Sequence, residues 1–189
     1  MSATAALPRL TLVLGGARSG KSQFAERLVE SQPNAGVDGA CVYLATAESR
    51  DSEMAARIAD HRARRGKRWR TVEAPLDLVA GLRDNAAADR AVLVDCLTLW
   101  LANLFDAGRD VDVETASLTD ALPTLAGPVV MVSNEVGLGI VPDNALARAF
   151  RDAAGRLNQA IAAAAQSVVF IAAGLPLPLK SPEAPEARP

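Results

Sequence analysis

Apolar runs at residues 10–14, 40–45, 91–95, 128–132 and 167–172 stand out along the chain and predict buried strands. Between them, apolar positions recur with helical spacing at 21–31, 52–65, 76–87, 96–106, 113–122 and 143–166. The longest of these patterns places Leu146, Phe150, Ala153, Leu157, Ala160, Ile161 and Ala164 on one side, and Asp143 after Pro142 offers a start signal. Trp69-Arg70-Thr71-Val72-Glu73 predicts an additional, more polar strand. Strand and helix alternate throughout, which predicts an α/β protein with a mainly parallel sheet and helices on both faces. The strands are apolar without interruption, as strands covered on both sides should be. No internal repeat is visible. Residues 181–189, rich in Pro, Glu and Ala, predict a disordered tail, which leaves 1–180 as one domain.

Composition narrows this picture. A chain of 189 residues suits a single domain with a sizeable core, and half of it is apolar with few aromatics. That balance favours helices packed on a buried sheet over an all-β sandwich. A net charge of −2 argues against a general nucleic-acid coat. Cys41 and Cys96 sit in or beside apolar runs and read as reduced core residues of a cytoplasmic protein. The first nine residues lack the charged and apolar stretches of a signal peptide, and no segment approaches the roughly 20 apolar residues of a membrane span.

The strongest chemical signal lies directly after the first strand. Gly15, Gly16, Ala17, Arg18, Ser19, Gly20, Lys21 and Ser22 spell G-G-A-R-S-G-K-S, which satisfies the phosphate-loop pattern G-x-x-x-x-G-K-[ST]. Backbone N–H groups of such a turn form a concavity for phosphate oxygens, and the following helix adds its positive end. Lys21 would reach the β- and γ-phosphates, and the Ser22 hydroxyl would hold Mg2+. Leu10 to Leu14 enter the loop as a strand, and Phe24, Ala25, Leu28 and Val29 continue it as a helical stripe. With the strand–helix alternation, this predicts a P-loop NTPase-type (RecA-like) three-layer sandwich with a mainly parallel central sheet.

A second signal is Ala91-Val92-Leu93-Val94-Asp95, an apolar strand closed by an acid. In a phosphate-loop fold such a carboxylate lies beside the nucleotide and holds Mg2+, whereas elsewhere it merely caps the next helix. Ligands of open α/β sheets collect at strand carboxyl ends. Thr46 and Glu135, each following an apolar run, are therefore further candidates, with a plain turn role as the alternative.

His61 is the sole histidine. It shares a helix face with Met54 and Ile58, a setting that suits either a core histidine or a nucleophile. Arg62, Arg64, Arg65, Lys67, Arg68 and Arg70 follow as a dense basic run, either a solvated face or a polyphosphate cradle. Histidine can attack phosphorus to give a covalent phosphoramidate. Neighbouring arginines would disfavour its cationic form and keep it nucleophilic at neutral pH.

Several segments together resemble one family: G-G-A-R-S-G-K-S at 15–22, Y-L-A-T-A at 43–47, D-S-E-M-A-A-R-I-A-D-H-R at 51–62, W-R-T-V-E-A-P at 69–75, S-N-E-V-G-L-G-I-V-P at 133–142 and A-G-L-P-L at 173–177. The chain is similar to the bifunctional adenosylcobinamide kinases/adenosylcobinamide-phosphate guanylyltransferases of cobalamin biosynthesis. The resemblance spans about residues 10–180, and its histidine and N-E-V-G-x-G-I-V-P segments are more specific than the loop. It implies two reactions. ATP or GTP first phosphorylates adenosylcobinamide, and a histidine then takes GMP from GTP and passes it to adenosylcobinamide phosphate, giving adenosylcobinamide-GDP and pyrophosphate. The family's guanylylated histidine falls on His61. Its nucleotide contacts fall on residues 15–22, on Ala45, Thr46 and Ala47, on Arg62, Ala63, Arg64 and Arg65, and on Glu73 and Asp95. The same resemblance implies a corrinoid substrate and a homo-oligomer.

Three other readings make distinct expectations. A small-molecule kinase on the same fold would need no covalent step. A guanine-nucleotide switch usually carries N-K-x-D, where this chain offers only Asn134-Glu135-Val136-Gly137. A nucleic-acid module would rest on residues 62–70 alone, and its binding would weaken steeply with salt.

Overall fold

The computed structural model describes residues 7–32, 35–47 and 66–182. The expected helix at 52–65 and residues 183–189 of the expected tail lie outside them. Strands form where the apolar runs lie: β1 (Leu10–Gly15), β2 (Cys41–Ala45), β3 (Trp69–Glu73), β4 (Ala91–Asp95), β5 (Val129–Asn134), β6 (Ser167–Ala172) and β7 (Leu175–Lys180). Helices fill the intervals: α1 (Lys21–Glu30), α2 (Leu78–Asn85), α3 (Leu97–Asp106), α4 (Val111–Ala121) and α5 (Ala145–Ala164). Helix starts at 78, 97, 111 and 145 differ by a residue or two from the expected 76, 96, 113 and 143. Asp110 caps α4 by accepting from Asp112 and Val113 N–H, so that helix begins at 111 rather than 113. Asn144, not Asp143, caps α5 by accepting from Ala147 N–H at 2.7 Å.

The sheet runs β3-β2-β4-β5-β1-β6-β7. Every neighbouring pair is parallel except β6 and β7. Because strand side chains alternate, each central strand serves two cores. Leu12, Leu14, Val42, Leu44, Val92, Val94, Val129 and Met131 face one cluster, completed by Leu82, Trp100, Leu101, Leu104, Leu118, Leu157 and Ile161 from α2 to α5. Val13, Tyr43, Leu93, Val130 and Val132 face the other, where Ala25 and Val29 of α1 pack. Burial of each such leucine contributes about 1.5–3 kcal/mol. An exposed ion pair such as Arg109–Asp77 contributes at most about 1 kcal/mol, so the two cores hold the layers together.

The inward stripe of α5 is Phe150, Ala153, Ala154, Leu157, Asn158 and Ile161. Leu146 was expected on that stripe but is 68% exposed. Strand β7 was not expected at all, because Pro176 and Pro178 cannot donate to a ladder. It is tolerated at the sheet's edge, where donors are needed on one side only and residues two apart share a side. A two-residue turn at Ala173 and Gly174, both with positive φ, joins it to β6. Both cysteines are free and buried, and burial is the chief cause raising each thiol's pKa to about 11.

Candidate nucleotide-binding site

The loop between β1 and α1 has the backbone its sequence demands. Gly15 sits so close to its surroundings that a Cβ there would lie 2.6 Å from the Ile171 carbonyl oxygen and 2.6 Å from Ser19 Oγ. Arg18 and Gly20 both take positive φ, 57° and 95°, so successive peptide groups turn to form the amide cup. Gly20 then starts α1 by accepting from Phe24 N–H at 3.0 Å. The β6–β7 turn braces the cup from outside, with Gly174 N–H donating to the Ser19 carbonyl at 2.9 Å.

Two features of the loop call for an anion. Lys21 is 92% buried, since only 8% of it is exposed, and its ammonium donates to the Gly16 carbonyl at 3.1 Å. Among the described residues it makes no ion pair with a carboxylate, and a buried cation is costly until it gains a counter-charge. Ser19 Oγ is buried without a hydrogen-bond partner, a deficit worth about 1–3 kcal/mol. Phosphate oxygens would satisfy both.

Asp95 ends β4, with one strand, β5, between it and β1. Tyr43, on neighbouring β2, donates its hydroxyl to Asp95 Oδ2 at 3.0 Å and fixes the carboxylate's orientation. Strands β4, β5 and β1 run parallel in register, so Asp95 and the start of the cup at Gly15 both lie at the carboxyl end of the sheet.

The remaining sequence candidates separate. Ala45 pairs with Asp95 on one side and with Glu73 on the other, so all three strand ends lie level. Thr46 is fully buried, and its hydroxyl both donates to the Cys96 carbonyl and accepts from Cys96 N–H, each at 2.8 Å. Asn103 holds the Thr46 carbonyl at 2.8 Å. Thr46 thus ties β2 to the residue after Asp95, and Ala47 follows it to the surface side. Ala17 and Arg18 are exposed on the loop, and Ser22 is half-buried on the first turn of α1. Glu135 turns its carboxylate back to Gly137 N–H at 2.5 Å, the turn role weighed for it from sequence. His61, Arg62, Ala63, Arg64 and Arg65 lie outside the described residues. Sequence reasoning missed Tyr43 and Gly174. The lone tyrosine two residues before Ala45, and an Ala-Gly step between two apolar segments, were the available signals.

This fold and loop define a P-loop nucleotide-binding protein. The flagellar accessory protein FlaH from Methanocaldococcus jannaschii shares the fold, with a TM-score of 0.50, 12% identity, and coverage of 93% of this chain and 80% of that one. Residues 11–179 match the family described as cobinamide kinase / cobinamide phosphate guanyltransferase, and the chain belongs to that family. It is 53% identical over 172 residues to the bifunctional adenosylcobalamin biosynthesis protein CobP of Pseudomonas aeruginosa, covering 89% of this chain and 96% of that protein. It is 40% identical over 186 residues to the bifunctional adenosylcobalamin biosynthesis protein CobU of Salmonella typhimurium, covering 90% and 99%. The resemblance carried by the sequence motifs is thereby borne out, and the chain is a transferase of cobalamin biosynthesis.

Proposed function

We propose that this chain carries both reactions of its family on one domain, residues 1–180, with the phosphate loop as the shared nucleotide site. The observation that carries this reading is the buried Lys21 of the loop, at the same end of the sheet as an Asp95 oriented by Tyr43. In the kinase step the γ-phosphoryl of ATP or GTP moves to a hydroxyl of adenosylcobinamide. Catalysis of such a transfer is largely positioning and charge stabilisation, which the loop amides and Lys21 supply. In the guanylyl step a nitrogen of His61 forms a bond to the α-phosphorus of GTP, and the bond to pyrophosphate breaks. The GMP then passes to adenosylcobinamide phosphate, and the imidazole is regenerated. Residues 15–22, Ala45 to Ala47, Arg62 to Arg65 and Glu73 form the nucleotide's surroundings in this reading. Incubation with GTP followed by mass analysis tests it: one GMP should be found on the only imidazole, and unmodified protein would refute the covalent step.

Mg2+ fits the donors present. Ser22 and Asp95 offer hard oxygen ligands, and the described residues contain no group of three or more His, Cys, Asp or Glu able to hold a metal. The nucleotide's phosphates would therefore complete the ion's shell, where it would offset their charge. Asp95→Asn keeps an acceptor for the Tyr43 hydroxyl while removing the negative charge. It should raise the Mg2+ concentration for half-maximal kinase activity by about 10–100-fold. An unchanged metal titration would reject this role.

The protein is proposed to act in the cytoplasm as a homo-oligomer, with the corrinoid as its small-molecule partner and no role for nucleic acid. No described helix is long and apolar enough to cross a membrane. Leu175 and Leu177 of β7 are 71% and 56% exposed, as an edge strand buried by a second copy would be in isolation. Sedimentation equilibrium should give a mass that is a multiple of 19.7 kDa. A monomer at micromolar concentration would count against it.

A further inference from the structure

Strand β5 occupies the gap between the phosphate loop and the Asp95 strand, and its last residue is Asn134. Register pairs Asn134 with Gly15 on one side, about 4.8 Å away, and pairs Val132 with Asp95 on the other. Asn134 is thus level with the start of the cup and two residues beyond the level of the acid.

Its main chain is held from three directions. The Asn134 N–H donates to Thr98 Oγ1 at 2.7 Å, and its carbonyl accepts from Asn158 Nδ2 at 3.2 Å. The next peptide N–H, of Glu135, donates to the Gly15 carbonyl at 3.1 Å. Thr98 is itself buried and lies 3.4 Å from Ser133 Oγ. Main-chain clamps from α3, α5 and the loop therefore fix where the side chain begins. The residue is only half-buried, and among the described residues its one side-chain hydrogen bond is Nδ2 to Cys96 Sγ at 4.0 Å. Sulfur is a weak acceptor, so the carboxamide keeps nearly all its hydrogen-bonding capacity. One oxygen of the neighbouring Glu135 carboxylate accepts from Gly137 N–H, whereas the Asn134 carboxamide makes no such bond to a main-chain group among the described residues.

We propose that Asn134 is a catalytic residue of the kinase step, its carboxamide donating to the γ-phosphoryl group and accepting from the attacking hydroxyl. The inference rests on the kinase reading above. An oxygen–phosphorus bond forms from the acceptor hydroxyl, the bond from the γ-phosphorus to the bridging oxygen breaks, and the electron pair leaves on the nucleoside diphosphate. The hydroxyl proton passes to solvent. An amide is neutral and cannot take that proton, so its contribution is alignment of the in-line attack.

Steady-state kinetics with ATP and adenosylcobinamide test this, alongside ATP dissociation constants and thermal melting. Asn134→Ala should lower kcat by about 10²-fold while the ATP dissociation constant stays within about threefold and the melting temperature is unchanged. Asn134→Asp is isosteric but would point a negative charge at the γ-phosphate, so its kcat should fall further than that of the alanine variant. A merely structural Asn134 predicts the opposite order. Variants within about threefold of wild-type kcat, or whose loss is matched by weaker ATP binding, would overturn the proposal. Wild-type protein without kinase activity would instead overturn the reading on which it rests.

Discussion

Replacing His61 with alanine is expected to abolish guanylyl transfer while leaving phosphorylation of adenosylcobinamide measurable. A covalent route depends wholly on its nucleophile, and alanine offers no atom that can bond to phosphorus. The rate of GMP transfer should fall by more than about 10⁴-fold, the scale on which loss of an enzyme nucleophile acts. The label from α-labelled GTP, acid-labile and base-stable on wild-type protein, should be absent. The kinase step draws on the loop between β1 and α1 and needs no bond to an imidazole. Intact guanylyl transfer in the alanine variant would place the nucleophile elsewhere or remove the covalent step. Joint loss of both activities in a well-folded variant would mean that His61 belongs to the shared nucleotide site.

Lys21→Ala is expected to impair both reactions. The wild-type ammonium is buried at the start of α1 with the Gly16 carbonyl as its acceptor. On nucleotide binding it would exchange that neutral partner for phosphate oxygens, whose charge is greatest as phosphoryl or pyrophosphate departs. Removal of one such stabilising group costs about 10²–10³-fold in turnover. Alanine is a strong helix former, so α1 should persist, and circular dichroism will confirm this. The measurement is kcat and KM for both half-reactions at saturating Mg2+. Unaltered kinetics would mean that the cup holds no polyphosphate during turnover.

Much of the site could be read in the sequence because its requirements are local. The amide cup needs glycine where Gly15 meets the Ile171 carbonyl and where Gly20 takes positive φ, and both demands appear as letters in an eight-residue string. Asp95 was legible because an acid closing an apolar strand is conspicuous. Thr46 was legible as a strand end, but its bonds to Cys96 depend on which strand lies beside β2. Strand β7 was missed because proline normally argues against a strand, and only an edge position makes Pro176 and Pro178 harmless. Leu146 fitted the helical period of α5, yet the period says nothing about where the facing layer stops.

The order of β1 to β6, the two-sided burial of the central strands and the anion-seeking loop were determined by the sequence itself, through periodicity and backbone stereochemistry acting within a few residues. Tertiary structure alone decided which strand ends became neighbours. Register across β4, β5 and β1 set Asn134 between the cup and Asp95, and pairing of β2 with β4 brought the Tyr43 hydroxyl to the carboxylate. Such adjacency arises from packing residues distant in the chain, and no local pattern specifies it.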